Sequence, residues 1–103
     1  MEKVKLVVNL NDNFFWELKR ILADKKELMN RWIEKKSLNY IPNLDDIKKF
    51  DKTNRPRKTT ILISIEAYAR IRDITRKYGI SIPDWIESLI WEEYFKDEVC
   101  EAG

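Results

Sequence analysis

The chain has 103 residues, of which 44% are hydrophobic and 37% are charged, and its formal net charge is +2. This length allows one compact domain or two very small ones, and the apolar fraction excludes a globally disordered chain. The net charge alone is too small to indicate nucleic-acid binding. The sequence contains no histidine, so the commonest general base and metal ligand is missing, and we predict neither an enzyme nor a metal or cofactor site.

The single cysteine, Cys100, cannot form an internal disulfide, which is typical of an intracellular protein. No apolar run approaches the ~20 residues that span a bilayer, and the first residues lack the apolar segment of a signal peptide. We therefore expect a cytoplasmic protein (within the host cell if the source is a virus) that does not enter a membrane. The abundance of Lys, Glu and Ile resembles a thermophile composition.

The N-terminal segment predicts a strand followed by two helices. Lys3–Leu10 alternates apolar and mostly polar residues, which indicates a strand near residues 4–10. Asn11, Asp12 and Asn13 form a turn and helix-cap cluster, after which helices are predicted near 14–26 and 27–36. Phe14, Phe15 and Trp16 cannot all face one core, because successive helical residues are ~100° apart.

Residues 37–57 predict a connector. Pro42 and Pro56 exclude a continuous helix, although Asn43 could cap a short helix over Leu44–Asp51. From Lys48 to Lys58 there are six basic residues and one acid, whereas Asp84 to Glu101 contains seven acids and one base. Opposite charge at two ends would orient the protein on a polyanion, although basic segments are about as often simply solvated linkers.

The C-terminal segment repeats the order strand, helix, helix. A strand is predicted near 59–65, with Thr59, Ile61, Ile63 and Ile65 on its inner face, and helices near 66–78 and 82–96. Gly79 is typical of a helix C-terminus and Ser81 of a helix N-cap. One strand and two short helices cannot close a core alone, so this unit needs a second copy of itself.

The two segments can be aligned with each other. An offset of 55 positions superposes Leu6 on Ile61 in the strands, and an offset of 53 superposes Trp32 on Trp85 in the helices, which predicts a two-residue insertion in the Asn11–Asn13 turn. Any two amphipathic segments share apolar positions, so a chance match stays open. The predicted class is α+β and mostly helical, divided into residues 1–36, a connector of residues 37–57, and residues 58–103.

Residues 58–95 resemble the ribbon-helix-helix (MetJ/Arc) family of DNA-binding proteins, through the strand Thr60–Ile65, the Glu66–Tyr78 helix, the Gly79–Ser81 turn and the apolar positions of Trp85–Ile90. In that family two strands pair antiparallel and enter the major groove, while a helix N-terminus holds a phosphate. The resemblance implies either a homodimer or one chain that pairs its own halves as a tandem pseudo-dimer. It implies DNA contacts by Lys58, Thr60, Leu62, Ser64, Arg57, Arg55, Ser81, Ile82, Lys3, Lys5 and Asn9.

Three positions depart from that pattern. Leu62 is apolar where the family usually has a polar side chain, Asp84 lies beside the expected phosphate, and Leu28 stands where the first copy should repeat Ser81. The leading hypothesis is sequence-specific or semi-specific binding of double-stranded DNA, and the function would then be transcriptional regulation. The alternative is a protein-interaction module or an antitoxin-like protein that binds a partner through exposed aromatics.

Overall fold

A computed structural model describes residues 3–39 and 54–102, with side chains described to residue 93. The class is α+β and mostly helical, as predicted: two strands form one antiparallel sheet, and four helices share one hydrophobic core with its inner face. The elements are, in chain order, β1 (Lys3–Leu10), α1 (Asp12–Lys25), α2 (Met29–Asn39), β2 (Arg57–Ser64), α3 (Ile65–Tyr78) and α4 (Ile82–Ala102). The short helix predicted over Leu44–Asp51 lies outside the described residues.

The sheet is a two-stranded ribbon made within one chain. β1 and β2 pair over their full length, from Lys3 opposite Ser64 to Leu10 opposite Arg57. Because side chains alternate across a strand, one face of the ribbon buries Leu6, Val8 and Ile61 in the core, while the other face is exposed. The need of the C-terminal segment for a second strand is therefore met by the N-terminal segment of the same chain.

The helices interlock the two halves of the chain. α2 packs on β2 and α3, whereas α4 packs on β1 and α1, so each second helix lies against the strand and first helix of the other half. Trp32 and Trp85, both fully buried, occupy matching positions in this arrangement. The result is a single core, with buried apolar side chains from all six elements, and neither half could bury its apolar face alone.

One offset of 53 positions relates the helical elements of the two halves. The N-caps Asn11 and Ser64 are 53 residues apart, as are the left-handed C-cap residues Lys26 and Gly79, and α1 and α3 both contain 14 residues. α2 and α4 begin 53 residues apart as well. In both halves the N-cap directly follows the last inward strand residue, so the predicted offset of 55 and its two-residue insertion are wrong.

Two details of the predicted elements are also corrected. Ile65, expected on the inner face of the second strand, is 49% exposed, because the Ser64 side chain caps α3 and the chain already turns into the helix at Ile65. Leu28, within the second helix predicted near 27–36, is 74% exposed and precedes the helix, because α2 begins only at Met29.

Candidate nucleic-acid interface

The exposed side of the ribbon carries most of the strand residues that the sequence analysis selected. We call it the outer face and define it by eight residues: Lys3, Lys5, Val7 and Asn9 of β1, with Lys58, Thr60, Leu62 and Ser64 of β2. Lys5 lies opposite Leu62, Val7 opposite Thr60 and Asn9 opposite Lys58. All of these six side chains are exposed; Val7 and Leu62 are 52% and 45% exposed.

The charge on the outer face is entirely positive. Lys3, Lys5 and Lys58 supply three ammonium groups, and none of the eight residues is acidic. At one end of the face, Glu34 of α2 lies 3.5 Å from the Lys3 ammonium. A face of this composition attracts a polyanion while leaving polar and apolar side chains free to make short-range contacts.

Ser64, at that same end, is engaged by the fold. Its hydroxyl oxygen accepts a hydrogen bond from the Ala67 backbone N–H as the N-cap of α3. Its own backbone N–H donates to Glu34 Oε1 at 2.6 Å. Hydrogen bonding by the Ser64 backbone and side chain to the Glu34 carboxylate, with a smaller contribution from the charge of Lys3, lowers the pKa of Glu34. The structure therefore places Ser64 half-buried at the edge of the outer face, with a capping role in addition to any contact outside the protein.

The first turn of α2 lies beside the outer face. Asn30 Oδ1 accepts a hydrogen bond from the backbone N–H of Leu62 at 3.1 Å, so this turn touches β2 directly. Arg31, the next residue, is exposed and adds a cation there. Arg31 is not among the residues predicted from the sequence to contact DNA. The offset of 53 could have indicated it, because Arg31 is the counterpart of Asp84, the residue noted as repulsive to a phosphate.

Arg55, expected to contact phosphate, is instead held inside the protein. Its side chain is 7% exposed and donates to Asp84 Oδ1 at 2.6 Å and to Glu87 Oε1 at 2.7 Å. Burial alone would lower the pKa of Arg55, but the hydrogen bonds to Glu87 and Asp84 raise it above its ordinary value. The positive charge of Arg55 is thus compensated by two buried carboxylates and adds little to the charge at the surface.

The N-terminus of α4 is closed by a capping box between Ser81 and Asp84. Asp84 Oδ2 accepts from both the backbone N–H and the hydroxyl of Ser81, at 3.1 and 2.9 Å, and the Asp84 N–H points back to the Ser81 hydroxyl. The Ser81 amide, one of the groups expected to hold a phosphate together with Ile82, therefore has a carboxylate as its acceptor. A buried negative charge at this position opposes the approach of an anion.

Arg57 also lies away from the outer face. Its guanidinium is 5.1 Å from the ring centroids of both Phe15 and Trp16, and its Nε donates to Asp12 at 2.6 Å. Trp16 is 55% exposed, in agreement with the expectation that three adjacent aromatics cannot all face the core. Arg57, Phe15 and Trp16 form an aromatic patch near the end of β2, distinct from the row of lysines.

Away from the outer face, the described residues form a groove but no cluster suited to a metal ion. A groove of about 500 Å³ between α1 and α4 is lined by Asn11, Phe14, Glu17 and Trp91 among others. Within residues 3–39 and 54–93, no group of three or more His, Cys, Asp or Glu side chains is arranged to hold a metal ion. Among the helices of the described part of the chain, none combines the length and apolarity needed to cross a bilayer.

Comparison with known proteins adds no relative. No family model matches this sequence, and neither a curated protein nor a solved structure matches it. The assignment of a function therefore depends on the outer face and on the residues beside it.

Proposed function

We propose that this protein binds double-stranded DNA by inserting its ribbon into the major groove, and that it acts as a transcriptional regulator. The observation that carries the proposal is the outer face, whose eight residues include three lysines and no acidic residue, with Val7, Asn9, Thr60 and Leu62 between the lysines on one exposed side. A two-stranded ribbon fits the width of the major groove of B-DNA. Lysines supply electrostatic affinity, and the shorter side chains can contact base edges.

The architecture supports the same proposal. The ribbon-helix-helix resemblance implied an antiparallel ribbon with two helices after each strand, and the observed elements are compatible with it. The contacts of α2 with the second half and of α4 with the first half also support a pairing of two similar halves. We propose that this chain is a tandem pseudo-dimer of that kind, with residues 3–39 as the first copy and residues 57–93 as the second. Each copy supplies one strand of the ribbon.

At the DNA backbone we favour Arg31, which was not predicted from the sequence, over Arg55 and the N-terminus of α4, which were. Arg31 is exposed beside β2, whereas Arg55 and the Ser81 amide already have carboxylate partners. Arg57 and Ile82 carry no specific assignment here. Phosphate contacts orient a protein on the duplex without reading its sequence, so these positions concern affinity rather than specificity.

The test is fluorescence anisotropy of labelled duplex DNA with the full chain at low and moderate salt. We expect binding that weakens as salt rises, because each neutralised phosphate releases counterions. The double variant Lys5→Ala/Lys58→Ala should weaken binding at least about tenfold, since each lysine is expected to supply a phosphate or base contact worth of order 1 kcal/mol.

The matched control removes the same charge elsewhere. Lys19 and Lys35 are exposed and lie on helices rather than on the outer face, so Lys19→Ala/Lys35→Ala should change the affinity much less. No binding to any duplex at low salt would refute the proposal. Equal weakening by both double variants would mean that only net charge matters and that the ribbon does not enter the groove.

A second candidate function rests on the aromatic patch. Trp16 is 55% exposed beside the Arg57 guanidinium, and an exposed tryptophan with a neighbouring arginine is typical of a protein-protein interface. An antitoxin-like protein would use the patch for a partner and the ribbon for DNA. The variant Trp16→Ala distinguishes the two surfaces: it should leave DNA affinity unchanged if the ribbon alone contacts DNA.

A further inference from the structure

The offset of 53 assigns a counterpart to each central residue of the outer face. Lys5 corresponds to Lys58, Val7 to Thr60 and Asn9 to Leu62. Val7 and Thr60 also lie directly opposite each other in the ribbon, so this pair marks the centre of the approximate two-fold symmetry. The lysines obey the symmetry, whereas the pair Asn9 and Leu62 breaks it with two side chains of opposite chemistry.

The register divides these residues into two arms. On one side of the central pair Lys5 lies opposite Leu62, and on the other side Lys58 lies opposite Asn9. Each lysine is two residues from the centre, so the lysine positions are separated along the ribbon by about 13 Å at ~3.3 Å per residue. This length corresponds to about four base-pair steps of ~3.4 Å.

The chemistry of the two arms differs in a way that the major groove can detect. Lysine donates to the O6 and N7 acceptors of guanine, and it occurs in both arms. Asn9 can make paired hydrogen bonds with adenine, through its N6 and N7 groups. Leu62 has no hydrogen-bonding group on its side chain and is 45% exposed, so its favourable contact in the groove is the thymine methyl group.

We propose that a single chain recognises one non-palindromic duplex site, with guanine in both arms, adenine in the arm of Asn9 and thymine in the arm of Leu62. The inference rests on the proposed function and deepens it. Since both strands of the ribbon belong to one chain, the difference between the arms is fixed covalently. The protein would therefore bind its site in one orientation, which a symmetric dimer of identical strands cannot do.

The experiment is selection of sites from a random duplex library by the full chain, followed by native mass spectrometry of the complex. We expect a non-palindromic consensus with the two guanines about four base pairs apart and one chain per duplex. Asn9→Ala should lower the preference for adenine in its own arm about tenfold and leave the other arm unchanged. Leu62→Ala should reduce only the preference for thymine in the half of the site that Leu62 contacts.

Removing one methyl group from the DNA tests the proposed contact of Leu62 with thymine. Replacing thymine by deoxyuridine in that arm removes only the methyl group, and we expect about fourfold weaker binding by the wild-type chain, from ~0.8 kcal/mol for one methyl-sized group. The Leu62→Ala variant should bind the thymine and deoxyuridine duplexes equally well. The Asn9→Ala variant, the matched control in the other arm, should still bind the deoxyuridine duplex about fourfold more weakly.

The outcomes separate the inference from the function on which it rests. No duplex binding at low salt would refute both. Duplex binding with a palindromic consensus, with two chains per site, or without base preference would overturn the inference and leave the proposed function in place. The inference would also be overturned if Asn9→Ala and Leu62→Ala reduced the base preference in the same half of the DNA site, because the two residues lie on opposite sides of the central pair.

Discussion

Lys26 occupies a position that favours glycine. Both Lys26 and its counterpart Gly79 end a helix in the left-handed conformation, at φ values of 54° and 64°. A side chain in this conformation costs about 1 kcal/mol, which glycine avoids. We expect Lys26→Gly to raise the free energy of unfolding by about 0.5–1 kcal/mol, measured by urea denaturation.

Gly79→Ala is the matched control for Lys26→Gly. A Cβ atom at Gly79 would meet no atom within 4 Å, so the substitution tests conformation without a steric clash. It should lower the free energy of unfolding by about 1 kcal/mol, because alanine at positive φ is strained. If both substitutions changed the free energy of unfolding in the same direction, the left-handed backbone conformation would not be the cause of the changes.

The two buried tryptophans differ in one hydrogen bond. Trp85 Nε1 donates to the hydroxyl of Ser37 at 3.2 Å, whereas Trp32 Nε1, among the described side chains, has no acceptor. The difference follows from the sequence, since the counterpart of Ser37 at the offset of 53 is Ile90, which has no acceptor to offer. The two halves therefore share a buried tryptophan, but only in the second half does a described side chain accept the hydrogen bond of its indole N–H.

Ser37→Ala removes the hydroxyl that accepts the hydrogen bond from the Trp85 indole N–H. We expect a loss of about 1–3 kcal/mol in the free energy of unfolding, the usual cost of a buried unsatisfied donor. A double-mutant cycle with Trp85→Phe checks the cause: when the indole N–H is already absent, Ser37→Ala should cost much less. An unchanged cost in that background would attribute the loss to packing around Ser37.

At the scale of elements, a glutamate of each half accepts a hydrogen bond from the helix N-cap residue of the other half. Glu34 of α2 accepts from the Ser64 N–H, and Glu87 of α4 accepts from the Asn11 N–H at 2.8 Å. Ser64 and Asn11 are the N-caps of α3 and α1, so the two carboxylates tie the helices to the ribbon at equivalent points. The Trp-Ile-Glu sequence shared by the halves thus combines two core residues with one cross-half hydrogen bond.

Glu34 should contribute a pH-dependent part of the stability. Its pKa is lowered in the folded protein, so the contribution is present above the unfolded pKa of about 4.3 and is lost as pH falls through the lower folded value. Glu34→Gln should therefore flatten the decline of unfolding free energy as pH falls below the unfolded pKa, measured by urea titrations at a series of pH values. A decline that is the same in Glu34→Gln as in the wild-type chain would contradict this contribution of Glu34.

Arg55 lies just before β2 and forms salt bridges with α4. Replacing it should lower the free energy of unfolding far more than replacing Arg57. Arg55→Met leaves the buried carboxylates of Asp84 and Glu87 without their counter-charge, at a cost of about 3–5 kcal/mol. Arg57→Met removes a 42% exposed partner of Asp12 and should cost about 1 kcal/mol or less. Thermal melts of both variants test this, and equal costs would contradict the structural role of Arg55.

Periodicity predicted the elements because their apolar positions repeat over many residues, and both strands and all four described helices lie within a few residues of their expected places. The local errors arise where one side chain has two possible roles. Ser64 could continue a strand or cap a helix, and Arg55 could face solvent or a carboxylate. Choosing between these roles requires Glu34, Asp84 and Glu87, which are distant in sequence, so no local pattern could have decided them.

At the scale of the whole molecule, the sequence indicated that residues 58–95 need a partner but left open which partner. The choice depends on whether residues 3–39 can supply a strand of the same length and two helices with matching buried positions. In the structure they do: Leu18 and Ile71, Ile21 and Ile74, and Ile33 and Ile86 are buried counterparts. The outer face could be predicted for the same reason, because strand alternation alone places its eight residues on one side.

Pairing within one chain makes stability independent of protein concentration. If the ribbon formed between two chains, a hundredfold dilution would cost about 2.8 kcal/mol, equivalent to a fall in melting temperature of roughly 10–20 °C for a domain of this size. We expect a native mass of 12.5 kDa and a melting temperature that does not change over that dilution. A melting temperature that rises with concentration would place the second strand in another chain, and the covalently fixed difference between the Asn9 and Leu62 arms would then be lost.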